Sequence, residues 1–170
     1  MARVEMGARL HWLPQELILF NGAALERRFE VELAEDAELL LVEPVIFGRA
    51  AMGEQIETLS FVDHIRICRE GRPLYCDRVR FGDNAQAQLR QIAGARGNAA
   101  MASLVFCAPN ADARLDALRA MLPEQSGISA LATNLIALRL FAEDGFALRN
   151  ALLPVLDVLS DNALPISWRL

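Results

Sequence analysis

Leu25-Glu26-Arg27-Arg28-Phe29-Glu30-Val31-Glu32-Leu33 is the stretch on which the fold turns. Leu25, Phe29, Val31 and Leu33 share one parity, and Glu26, Arg28, Glu30 and Glu32 share the other. Successive side chains of a strand point to opposite faces, so this period of two predicts a strand with one buried and one wet face. Arg27 is the single breach, a charge on the apolar parity. Upstream, Leu10 and Trp12 alternate with Arg9 and His11, and residues 17–20 form a short apolar run. Pro14 lacks the amide hydrogen a ladder needs and is expected to separate two strands there. Downstream, residues 37–42 read as a fully buried strand.

Farther along, residues 59–69 and 74–81 are rich in β-branched and aromatic side chains and are joined by Glu70-Gly71-Arg72-Pro73, the composition of a hairpin turn. Residues 83–99 carry a weak helical signal over 85–92, then Gly94 and Gly97, and read as a surface insertion. Strand character returns over 101–107. In the last third the period changes: Asn110 is placed to cap a helix with Leu115, Leu118 and Leu122 on one stripe and Asp112 in its first turn, ending near Pro123. Residues 128–141 resemble a strand. Asp144 then caps a second helix expected to turn Phe146, Leu153, Leu156 and Leu159 inward, with Pro154 bending it or shifting its start. Residues 165–170 could add a final strand. The expected architecture is mainly β with two C-terminal α-helices, α+β overall, in one domain over 1–170: β-rich to 107, then helix-strand-helix over 108–170. The strand-helix alternation of a doubly wound sheet is missing.

Composition excludes several functions. With 54% hydrophobic residues, 170 residues can bury a core. The net charge is −5 and no Lys/Arg block stands out, so the field that holds nucleic acid through counterion release is lacking. The apolar stretches at 39–42 and 131–140 are too short or too interrupted to span a bilayer, and the N-terminus lacks a signal pattern, which predicts a cytoplasmic protein. Cys68, Cys76 and Cys107 form neither a CxxC pair nor an even framework, which suits free thiols in a reducing compartment. Only His11 and His64 are available for imidazole chemistry, and no GxSxG, HExxH or Walker A sequence occurs, so no catalytic residue is assigned.

Two segments exceed routine strand and turn chemistry: Trp12-Leu13-Pro14-Gln15-Glu16-Leu17-Ile18-Leu19-Phe20 and Glu43-Pro44-Val45-Ile46-Phe47-Gly48-Arg49-Ala50-Ala51-Met52-Gly53-Glu54. Together they resemble the WLPQE-x-ILF and E-x-x-x-FGR-x-AMGE signatures of the UreD/UreH family of urease accessory proteins. The similarity continues through residues 25–33, 101–105 and 128–131 and the ending Trp168-Arg169-Leu170. The resemblance implies a distorted, helix-like stack of β-strands with two appended helices. It also implies a scaffold without turnover that docks on apo-urease and, through a UreF-like partner, links it to the nickel-carrying GTPase UreG. Nickel would be cargo in transit through the assembled complex, with no cofactor tightly bound here. Family members carry a preceding β-rich region with a glycine-rich GGD-type motif, and this chain is expected to be the portion that follows it. A sheet cut there would expose strand edges and apolar surface.

The matching positions give the candidates for partner binding or nickel passage: Trp12, Pro14, Gln15, Glu16, Glu43, Phe47, Gly48, Arg49, Met52, Gly53 and Glu54. Glu16, Glu43 and Glu54 could line one polar lumen, since a divalent ion in transit needs exchangeable oxygen ligands. The plainer readings are that Glu16 caps backbone amides and that Glu54 is the salt partner of Arg49. Gly48 and Gly53 would permit positive φ or close backbone approach. Phe47 and Met52 could anchor a partner, but core packing is favoured for Phe47, as for Trp12 and Trp168. A second reading comes from the hairpin. With Gly71-Arg72-Pro73 as the turn, Cys68 would face Cys76 and His64 would lie two pairs along, offering three ligands for a free-standing transition-metal protein. Arg66 and Arg78 share that parity and would repel a cation.

Overall fold

The computed structural model describes residues 1–49, 52–82, 84–91, 95 and 97–169. Its first sheet contains β1 (Ala2–Val4), β4 (Ala24–Leu33), β6 (Ser60–Arg69) and β7 (Arg72–Phe81), in the order β1-β4-β6-β7. The second runs β2-β5-β8-β10-β9, with β2 (Arg9–Trp12), β5 (Glu38–Phe47), β8 (Ala100–Cys107), β10 (Leu135–Ala142) and β9 (Gly127–Ala132). β3 (Leu17–Leu19) pairs with β5 on the stretch beyond β2. From β1 to β6 the chain passes back and forth between the sheets, so β1, β4 and β6 are parallel neighbours in one, and β2 and β3 are parallel to β5 in the other. β7, β8, β9 and β10 all join antiparallel. Both sheets are therefore mixed, and neither closes on itself.

Burial follows the layering. β4 buries Phe29, Val31 and Leu33 and keeps Glu26 and Arg28 exposed, as its alternation requires. β8 is buried along its whole length because both of its faces are covered. Val105 and Cys107 face the first sheet, while Leu104 and Phe106 pack under the C-terminal helices. A strand covered on both faces reads as a near-continuous apolar run, as β8 does over its length and β5 does over residues 39–42.

The described residues form three α-helices: α1 (Ala85–Arg90), α2 (Leu115–Met121) and α3 (Gly145–Leu159). Two were expected near the C-terminus. The short α1 stands where the weak signal over 85–92 lies, and Ile92 and Gly94 fall outside the described residues, as do Ala50, Ala51 and Leu170. Several local expectations are corrected. Asn110 is in the left-handed region (φ 53°) and caps nothing with its side chain; a 3-10 turn at Ala111–Arg114 leads into α2. The strand expected over 128–141 is a hairpin, β9 and β10, whose turn residues Thr133 and Asn134 include neither glycine nor proline. Asp144 does cap α3, its Oδ1 accepting from the Ala147 amide at 2.8 Å, but the buried stripe is Leu148, Leu152, Val155, Leu156 and Leu159. Phe146 is 76% exposed. α3 continues through Pro154, which lies on the exposed side where the lost backbone bond faces water. The tail forms a 3-10 turn at Ile166–Trp168 in place of a strand. Among the described residues no helix is long and apolar enough to cross a membrane.

Candidate functional site

Arg27, the breach in the β4 alternation, is the centre of a buried charge bridge between the sheets. β4 and β6 run parallel with Arg27 opposite Asp63, and both occupy inward positions. Arg27 Nε and Nη2 donate to the two Asp63 carboxylate oxygens at 3.0 and 2.5 Å. On the facing sheet, Glu43 Oε2 of β5 lies 2.6 Å from Arg27 Nη1, an ion pair without hydrogen-bond alignment, and Glu43 Oε1 accepts from Trp12 Nε1 at 2.9 Å. The Trp12 ring packs on Phe29, centroids 5.1 Å apart, and roofs the cluster while remaining 42% exposed.

Glu43 and Asp63 are 2% and 5% exposed, and two carboxylates face one guanidinium. Burial pushes the Glu43 carboxyl above its usual range, and the Arg27 charge offsets only part of that rise. Burial also opposes the Arg27 charge, but the Asp63 hydrogen bonds and the field of Glu43 outweigh it. The arrangement can lock the two sheets in register. It could receive a cation only by displacing Arg27.

The Trp12–Glu16 segment also holds the C-terminus. With Pro14 interrupting the ladder, Leu13 O is free to accept from Trp168 Nε1 at 2.9 Å, and the Trp168 side chain is fully buried. Arg149 of α3 reaches across to Glu16, with Nε to Oε1 at 2.9 Å and Nη2 to Oε2 at 2.6 Å, and to Gln15 Oε1 at 2.7 Å. Its guanidinium stacks 5.4 Å from the Trp168 ring centroid. Burial opposes ionisation of Glu16, yet the Arg149 hydrogen bonds hold its carboxyl below the ordinary range. Pro14, Gln15 and Glu16 thus form one side of a clasp closed by α3 and the final turn.

Phe47 and Glu54 bound a folded loop. Phe47 is buried edge-on against Phe81 at 5.0 Å, a core role and not an exposed anchor. Gly48 (φ 79°) turns the chain where an added Cβ would come 3.3 Å from Glu54 O, so this turn requires glycine; Gly53 also has positive φ. Glu54 accepts from Arg49 N, Nε and Nη2 at 3.0, 3.1 and 3.0 Å, and these bonds hold its carboxyl below the usual range. The Arg49 guanidinium lies 4.7 Å above the Phe20 ring. Met52 at the loop tip is 74% exposed, with Ile18 and Phe20 also open to solvent. Glu16, Glu43 and Glu54 each bind a different arginine, and no acidic cluster unites them: among the described residues no group of three His, Cys, Asp or Glu could hold a metal ion.

The register expected for the metal alternative is corrected. The turn is Glu70-Gly71, both with positive φ, and an irregularity at Ile67/Cys68 sets Cys68 opposite Pro73 and Cys76 opposite Arg66. Cys76 Sγ instead approaches His64 Nε2 at 3.6 Å on the exposed face, while Cys68 is buried elsewhere on that strand. Cys107 is buried too, and burial pushes its thiol up to about 12, which leaves it inert.

Sequence reasoning flagged Arg27 only as an irregularity and did not single out Asp63 or Arg149. A signal existed for the first pair: Asp63 breaks the apolar parity of Phe61, Ile65 and Ile67 as Arg27 breaks that of β4. Two opposite charges on inward parities of neighbouring strands ask for one another. Arg149 had no such signal, because its partners lie 133 and 134 positions away.

Comparison with known proteins gives this geometry its context. The family described as UreD urease accessory protein matches residues 1–168. A urease accessory protein UreD of Roseobacter denitrificans is 47% identical over 168 residues, covering 99% of this chain and 62% of the relative. Its counterpart in a Ruegeria species is 50% identical over 175 residues, covering 98% of this chain and 59% of the relative. The chain therefore spans about three fifths of the length of these curated relatives. They are named as accessory proteins of urease. The chain belongs to the UreD urease accessory protein family.

Proposed function

We propose that this chain is the C-terminal part of a cytoplasmic urease-maturation scaffold. It would act with UreF-like and UreG-like proteins and apo-urease subunits to bring nickel to the urease site. The observation that carries the reading is the family match over residues 1–168. The structural use of the two signature segments supports it. Glu43, Arg49, Glu54, Gln15 and Glu16 are occupied in tying sheets, loop and helix together, the work expected of a shaped protein surface. We read residues 2–69, whose strands alternate between sheets with parallel neighbours, as coils of the strand stack that the family resemblance implies.

In this reading nickel is cargo. Glu43 and Asp63 are the buried carboxylates it would meet between the sheets, with Arg27 holding them closed to cations until a partner shifts it. The test is co-expression with apo-urease subunits and a UreF-like protein, followed by affinity purification and measurement of urease activation. Retention of the chain in the complex is expected, with no stoichiometric nickel or zinc on the isolated protein. Failure to associate where a full-length relative is retained would count against it.

A further inference from the structure

β7 is ten residues long, pairs only with β6, and leaves its other edge open among the described residues. Beside that edge lies a cleft of about 670 Å³ whose lining mixes Val79, Phe81, Met101 and Phe141 with Arg78, Arg80, Arg139 and Glu124, and includes Ser126. Ser126 Oγ is buried there with no hydrogen-bond partner. Natural sheets usually shorten, bend or cover such an edge, because its unpaired amides and carbonyls are a template for another strand. Here the strand is long and its inward row is only half covered: Tyr75, Asp77 and Val79 are intermediate, and Phe81 alone is buried.

The charge at this edge runs against the chain's overall −5. Arg78 and Arg80 lie on the exposed parity of β7, with Arg66 next to Cys76 on β6. None of the three makes an ion pair among the described residues, although Arg78 acts at a distance on Glu26. Asp77, the acidic residue on this strand, is already neutralised by Arg139 across the sheets. An added strand would therefore find Arg78 and Arg80 on the outer side and, on the inner side, the apolar Val79, Phe81, Met101 and Phe141 beside Arg139 and Glu124.

We propose that the open edge of β7 accepts an extended segment of a partner protein in which acidic and apolar residues alternate. Its backbone continues the first sheet, its carboxylates meet Arg78 and Arg80, and its apolar residues enter the cleft over Val79 and Phe81. Strand addition supplies affinity through main-chain bonds, while the two rows of side chains supply selectivity. This inference does not depend on the urease-maturation reading, since the edge offers the same chemistry in any assembly.

The experiment uses a fluorescent peptide of alternating Glu and Val, as long as β7, titrated into the purified chain at low salt and followed by anisotropy. A Lys/Val peptide and an oligothymidylate serve as comparators. Amide hydrogen exchange is measured with and without the Glu/Val peptide. The expected result is saturable binding of the Glu/Val peptide, slowed exchange in β7, and about a tenfold or greater loss of affinity in R78E/R80E. Both arginines are exposed, so that variant should retain the parent's melting profile. Absence of binding would overturn the proposal. So would binding without protection in β7, or equal binding of the oligothymidylate, which would mark the arginines as a nonspecific polyanion patch.

Discussion

Glu43 and Glu54 close the two ends of one signature segment, and each is held by an arginine, yet the two pairs do different things. Arg27 and Glu43 have side chains 24% and 2% exposed and join residues of different sheets; Arg49 and Glu54 are 48% and 16% exposed and lie five residues apart. The first pair is desolvated, so the two strands and their sheets must meet in one register for either charge to be satisfied. The second opens to solvent on its arginine side and joins near neighbours, its own loop and the Phe20-Asn21 turn beside it, where Gly48 already sets the bend. The same chemistry thus specifies layer docking in one place and loop shape in the other, and burial decides which.

The comparison can be broken first at Arg27. Arg27→Met leaves Glu43 and Asp63 buried without a counter-charge and is expected to cost about 3–5 kcal/mol, read as a fall in the urea unfolding midpoint. A loss below about 1 kcal/mol, the range of exposed pairs, would erase the distinction drawn here. An intermediate case is the clasp: Arg149→Ala removes charged hydrogen bonds to Glu16 that are mostly shielded from water. It should cost about 1–3 kcal/mol in the same measurement, with hydrogen exchange rising in α3.

A pH series sharpens the contrast. Because the folded Glu43 carboxyl is raised above the ordinary 4.5, the folded protein holds that proton longer than the unfolded chain. Stability associated with Glu43 is therefore full below pH 4.5 and declines as pH rises through the raised value. Glu16 works the other way: its carboxyl is lowered, so its contribution is present above 4.5 and fades as pH falls through the lowered value. Glu43→Gln should gain on the parent as pH climbs from below 4.5 toward neutral; a difference that stays constant with pH would refute the assignment. The smallest effect is expected at the loop. Glu54→Gln should leave the unfolding midpoint near the parent's while speeding amide exchange at Gly48 and Arg49, and a large drop in global stability would contradict its local role.

Much of the framework was legible because the β-segments obey simple periodicities. The 25–33 alternation, the break at Pro14, the hairpin around Glu70-Gly71 and the buried run of β8 all follow from side-chain order along the chain. The β9–β10 turn was not legible, since Thr133-Asn134 lacks the usual glycine or proline. Phe146 was placed inward by its apolarity, but in the first turn of α3 its side chain is left open to solvent, and Leu148 takes the buried position. For the site, the sequence marked two segments and left their joint geometry unread. Glu16, Glu43 and Glu54 were candidates for a common lumen because their spacing alone could not reveal that three separate arginines, two from distant elements, claim them.

The clasp between residues 13–16 and 149–168 has a kinetic side. Its partners stand up to 155 positions apart, so closing it encircles both sheets, and contacts of that span form slowly because the loop entropy must be surrendered before any bond rewards it. During synthesis the Trp12–Glu16 edge must wait for Trp168 to be made. Until then the outer face of the second sheet lacks its helical cover, and this is the interval in which the newborn chain is most exposed to aggregation.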